Sequence, residues 1–102
     1  MKPKYITVEP YEAPVRILRT RKEKREFGVP EDAVGYCMQI ENSFAVALPW
    51  KYDESTVWHE AHHLARWLND HHGVPTDNES HEADAYLQEH IVREIKRIYR
   101  KL

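Results

Sequence analysis

Apolar residues follow two regimes along this chain: short alternating runs before residue 50 and helix-period stripes after it. Tyr5-Ile6-Thr7-Val8 and Val15-Arg16-Ile17-Leu18 are brief β-prone runs set apart by Pro10 and Pro14. Gly35 to Ile40 and Phe44 to Leu48 form a second pair, and Glu41-Asn42-Ser43 between them predicts a hairpin. Beyond Pro49, Val57, Ala61, Leu64, Ala65 and Leu68 recur at i, i+4, i+7, i+8 and i+11, one apolar stripe of a helix. Asp53 or Ser55 suits its N-cap, and Gly73 followed by Pro75 ends it. Thr76-Asp77-Asn78-Glu79 then reads as a capping box. After it, Ala83, Leu87, Ile91, Ile95, Ile98 and Leu102 give a second stripe running to the C-terminus. The expected fold is α+β in a single domain of 102 residues. A small, mainly antiparallel sheet over 1–50 packs on a helix over 53–72 and a C-terminal helix over 77–101. The charged run 20–34 is the expected mobile loop.

Within the first helix, His59-Glu60-Ala61-His62-His63 reads H-E-x-x-H. Histidines four apart lie one turn above each other on one helix face, so both imidazoles can reach one Zn²⁺. At about 100° per residue, His59 and His63 project away from the apolar stripe and Glu60 lies towards its flank, placed to act as base for a metal-activated water. A catalytic zinc needs a third protein ligand and an open position. Two helices joined by a short turn are near-antiparallel neighbours, so Glu82 is the favoured third ligand. Glu79 is the rival, but the capping box already accounts for it. Tyr86, one turn beyond Glu82, is a candidate oxyanion donor or a cleft-wall residue.

This H-E-x-x-H, followed by Glu82-Ala83-Asp84-Ala85 as E-x-x-A, resembles the gluzincin arrangement of metallopeptidases. It is most similar to the small ImmA/IrrE-like peptidases and to short uncharacterised HExxH proteins of bacteriophages. The resemblance spans roughly residues 50–92. It implies His59, His63 and Glu82 as zinc ligands, Glu60 as general base, and hydrolysis of a peptide bond. Tyr86 stands where related families often place Asn or Asp, which leaves the acceptor that orients the first ligand open among Asp84, Asp70 and a backbone carbonyl. By analogy with the sheet of zincins, 43–50 is the candidate edge strand for an extended peptide substrate.

All seven histidines fall between positions 59 and 90, so the spacing competes with sheer abundance. His62 is expected to be solvated, His71 and His72 to sit at the helix end, and His81 and His90 to be surface or cleft-edge residues. Recruiting one of them would give a closed four-ligand structural zinc with no water to activate. Cys37, the single cysteine, excludes an internal disulfide, reads as a buried inert thiol, and fits a reducing cytoplasm. Neither a signal peptide nor an apolar run of transmembrane length is expected, so no membrane partner is.

Charge is segregated: between 53 and 90 there are nine acidic residues and one basic residue, Arg66. Arg16 to Arg25 and Arg93 to Lys101 form two basic clusters. Solvated faces are the default reading of such clusters, and with a net charge of −2 nucleic acid is not the expected partner. The leading expectation is a zinc metallopeptidase acting on a peptide or protein, with an oligomer open. The alternatives are a non-catalytic, metal-stabilised interaction module and a nucleic-acid-binding protein using the basic clusters.

Overall fold

The computed structural model describes residues 3–41, 43–74 and 81–101. Its elements are β1 (Lys4–Val8), β2 (Ala13–Leu18), α1 (Arg21–Glu26), β3 (Tyr36–Ile40), β4 (Ser43–Ala47), α2 (Glu54–His71) and α3 (His81–Arg100). The architecture is α+β. Four strands form one sheet in the order β1-β2-β4-β3, with β1–β2 and β3–β4 antiparallel and β2–β4 parallel. The hairpin read around Glu41 forms as β3–β4, with Ile40 opposite Ser43. Glu41 takes a positive φ of 56°, as the first residue of a tight two-residue turn requires.

Alternation decides which side chains enter the core. Ile6 and Val8, Val15 and Ile17, and Phe44 and Val46 point to one face, where they meet Val57, Ala61, Leu64 and Leu68 of α2 and Leu87, Ile91 and Ile95 of α3. Both predicted stripes are therefore core faces, except that Ala83 is exposed. Asp53, rather than Ser55, caps α2, accepting from the Thr56 amide at 3.1 Å. Gly73 follows the helix in the left-handed region, φ 82°, as a helix-ending glycine does. The capping box over 76–79 and Leu102 lie outside the described residues.

Two expectations are corrected. Residues 43–47 are not an edge: β4 is paired on both sides, and β1 and β3 are the edges. The parallel β2–β4 pairing places β4 inside, a long-range choice that a hydrophobic run cannot signal. Nor is 20–34 a loop throughout. Thr20 caps α1, its hydroxyl accepting from the Glu23 amide while Glu23 reaches back to Thr20, a complete capping box. α1 has no buried residue and so no apolar stripe to announce it. Behind it, Val29, with Phe27 and Ala33, packs on Leu18, Ala45 and Ala47, covering part of the sheet's second face.

A polar knot holds the helices in register. Arg66 donates to both carboxylate oxygens of Asp84, at 3.0 and 2.8 Å, and to the Val74 carbonyl. Buried Asn69 donates to Asp84 and accepts from the Tyr11 hydroxyl, which ties the β1–β2 turn to the same point. No helix among the described residues is long and apolar enough to cross a membrane.

Leu64 is fully buried between sheet and α3, so Leu64→Ala is expected to cost about 2–5 kcal/mol in urea unfolding. A second expectation concerns acid. Hydrogen bonds from the Thr56 side chain and amide hold the Asp53 carboxyl below its usual range. A carboxyl with a depressed folded-state pKa contributes stability above its unfolded pKa and loses it as pH falls through the folded value. Asn caps equally well but does not titrate, so Asp53→Asn should lose less stability than wild type between about pH 6 and about pH 3 in parallel unfolding titrations.

Candidate metal centre

The face of α2 opposite its buried stripe carries His59 and His63, both exposed, followed one turn on by Trp67. The two imidazoles are nearly perpendicular, with centroids 4.8 Å apart, and their Nε2 atoms face each other at 3.3 Å. Two nitrogens each about 2.0–2.1 Å from one tetrahedral Zn²⁺ stand about 3.4 Å apart. The spacing of the pair is therefore that of two ligands of one tetrahedral ion. The same distance also permits an imidazole–imidazole hydrogen bond; donor chemistry and spacing are what suit a metal.

Glu60 sits between the histidine face and the apolar stripe, and only 5% of it is exposed. What buries it is the chain entering β3. A β-carbon on Gly35 would come within 2.9 Å of Glu60 Oε2, 2.9 Å of its Cγ and 2.7 Å of Thr56 Cγ2. Only a glycine lets the backbone press this closely against the Glu60 side chain. A cleft of about 380 Å³ opens here between Gly35, Tyr36 and Cys37 on one side and His59, Glu60, His63 and Trp67 on the other. A neighbouring hollow of about 410 Å³ shares Gly35, His59 and Glu60 and continues past Val34, Ser55 and Thr56. Together they make a groove along α2 beside the β3 edge.

Cys37 faces this groove from β3, its thiol donating to the Glu60 carbonyl at 3.3 Å. Burial first, and then the Glu60 carboxylate, push the thiol well above its usual range, so it stays protonated and inert at neutral pH. The cysteine is half-buried rather than fully buried.

Glu82 and Tyr86 stand elsewhere. Both are exposed, Tyr86 at 71%, and with Ala85 and Glu89 they line a separate hollow of about 200 Å³ on α3. Among the described residues, no three His, Cys, Asp or Glu side chains gather as a metal-holding group. Glu79 lies outside the described residues. Asp84, one candidate acceptor for a ligand histidine, is engaged by Arg66 and Asn69 instead. Of the other histidines, His62 is exposed, and His71 and His72 close α2, where His72 stacks on Tyr11 with centroids 3.9 Å apart. His90 accepts from the Glu9 amide at 3.1 Å.

Sequence reasoning missed Gly35, Tyr36, Cys37 and Trp67 as groove residues. Trp67 was within reach, because i+4 from His63 is the same helix face. The other three arrive through the hairpin and carry no local signal. No protein-family model matches the chain, and no curated protein or solved structure matches it significantly.

The contact at Gly35 gives a direct check. Gly35→Ala should destabilise the fold by about 1–3 kcal/mol through overpacking. Adding Thr56→Ser, which removes the nearest methyl, should recover only part of that loss, because Glu60 still collides. Urea unfolding of the two single variants and the double variant measures the cycle.

Proposed function

We propose that the groove between α2 and β3 is a mononuclear zinc hydrolase centre acting on peptide bonds. The observation that carries this reading is the 3.3 Å approach of the His59 and His63 Nε2 atoms beside a buried Glu60. His59 and His63 would hold the ion, and a carboxylate from the chain entering α3 would complete the set. Glu82, which lines a separate hollow in the first turn of α3 and would have to turn towards the pair, is the favoured third donor, and Glu79 its rival. A bound zinc ion supplies a Lewis acid for a substrate carbonyl and lowers the pKa of water towards neutrality.

The remaining chemistry falls to the chain. Glu60 accepts the proton of the attacking water at its carboxylate and can return it to the departing amine. Gly35, by pressing on the Glu60 side chain, limits the rotamers from which that carboxylate acts. Trp67 and Cys37 line the groove beside the histidine pair. β3 is an edge strand among the described residues and its first two residues, Tyr36 and Cys37, line this groove, so an extended peptide can add to it by main-chain hydrogen bonds, which favours a peptide over a compact ester. This moves the expected substrate strand from 43–50 to 36–40.

Metal analysis of tag-free protein by mass spectrometry is the test. Near-stoichiometric zinc is expected, lost in His59→Ala and in His63→Ala. Of Glu82→Ala and Glu79→Ala, the variant that also loses zinc identifies the third ligand. Glu60→Gln should keep the metal while lowering peptide hydrolysis by about 10²–10⁴-fold. Tyr86→Phe should keep the metal and lower turnover only where the hydroxyl donates to the oxyanion. Wild-type protein that neither contains zinc nor takes it up on titration would overturn the reading.

A further inference from the structure

The two basic clusters, about seventy residues apart in the chain, are joined where Arg19 of the first packs against exposed Trp50 and against Tyr99 of the second cluster's helix. Arg19, at the end of the first cluster's strand, lies with its guanidinium 4.2 Å from the Trp50 ring centroid and 4.8 Å from that of Tyr99. It also donates to the Trp50 carbonyl. Tyr99 sits in the last turn of α3 and donates to the Pro49 carbonyl, which anchors the second cluster beside the first. Trp50 remains 53% exposed although Arg19 packs over its ring.

The surroundings are strongly cationic. Arg21, Lys24 and Arg25 line a hollow of about 410 Å³ with Val29, Pro30 and Ala33, opposed there by Glu31 alone. Across the Arg19 contact, Lys51, Arg100 and Lys101 are exposed, as are Arg21 and Arg25. Of the carboxylates in these segments, Glu23 pairs with Arg16, Glu54 with Lys96 and Glu94 with Arg97, while Glu26, Glu31, Asp32 and Asp53 make no salt bridge among the described residues. Among the described residues, Arg21, Lys24, Arg25, Lys51, Arg100 and Lys101 make no salt bridge. Ten of the fifteen Lys and Arg residues thus fall within residues 19–25, 51 and 96–101.

We propose that this end binds single-stranded nucleic acid, with Trp50 as the stacking platform for one base and the α1 hollow and the α3 end as contacts for the flanking phosphates. An exposed aromatic ring backed by an arginine, set among unpaired cations, is the combination that single strands require. A base in a duplex offers no free face to Trp50, which favours the single strand over double-stranded DNA or RNA. This surface shares no residue with the histidine groove, so the inference stands or falls independently of zinc.

Fluorescence anisotropy of the full chain with labelled single-stranded DNA and RNA of about twelve nucleotides tests it. Binding should weaken with salt at a log–log slope of about −3, as about four phosphate contacts predict. Trp50→Ala should weaken binding about 5- to 100-fold and Trp50→Phe much less, the second variant separating stacking from misfolding. Arg21→Glu with Arg25→Glu should weaken binding and flatten the slope, and a chelator should change nothing. Three results would each overturn the proposal: no binding at low salt, equal affinity for a duplex of the same length, or Trp50→Ala binding as tightly as wild type. Displacement by heparin that is equal for wild type and Trp50→Ala would mark a general polyanion surface and overturn it too.

Discussion

The seating of α2 on the sheet is the constraint on which the rest of this structure depends. Its buried stripe, Val57, Ala61, Leu64, Ala65 and Leu68, fixes the helix's rotation about its own axis, because each fully buried Val or Leu side chain contributes about 1.5–3 kcal/mol. Once that face is committed to the core, His59, His63 and Trp67 have no choice but to face outward along the groove. The polar knot at Asp84 sets the helix's position along its axis. Arg66 and Asn69 reach the same carboxylate from one helix, and Tyr11 joins from the β1–β2 turn. A carboxylate shared in this way tolerates little sliding, since a slipped helix would leave a partly buried charge without its donors.

Within the groove, the backbone does as much as the side chains. β3 approaches α2 closely only because Gly35 lacks a β-carbon, and this approach is what buries the Glu60 carboxylate beside two exposed imidazoles. The Cys37 thiol donates to the Glu60 carbonyl, so the strand and the helix are also linked at that point. A rigid helix face and a close-packed backbone leave the side chains of His59, Glu60 and His63 little room to rearrange relative to one another.

Charge is segregated along the chain: acidic residues and histidines dominate 53–90, and cations dominate 16–25 and 93–101. α3 carries this polarity along its own length, with Glu82 and Asp84 in its first turn and Arg97 and Arg100 in its last, which suits the helix dipole at both ends. Arg19, held between Trp50 and Tyr99, converts a helix-end preference into a defined surface. Lys96 adds to it by pairing with Glu54 and lying 5.9 Å from the Tyr52 ring centroid.

Local patterns were enough to read both long helices, their buried stripes, the β3–β4 hairpin and the facing of His59 and His63, because each follows from spacing within one element, whereas the choice of Asp53 over Ser55 as the cap came from the structure. α1 was legible in principle from Thr20 and Glu23, yet a helix without an apolar stripe gives periodicity nothing to detect. Strand order was not legible: parallel pairing of β2 with β4 is a contact between segments about thirty residues apart, and it alone decides that β3 rather than β4 is the edge. The burial of Glu60 under Gly35, and the meeting of Arg19 with Trp50 and Tyr99, belong to the same class. Sequence by itself determined which side chains share a helix face, since 3.6 residues per turn is a local rule. Only the tertiary structure decided what stands opposite that face, because the free energy that selects it comes from burial summed over the whole core.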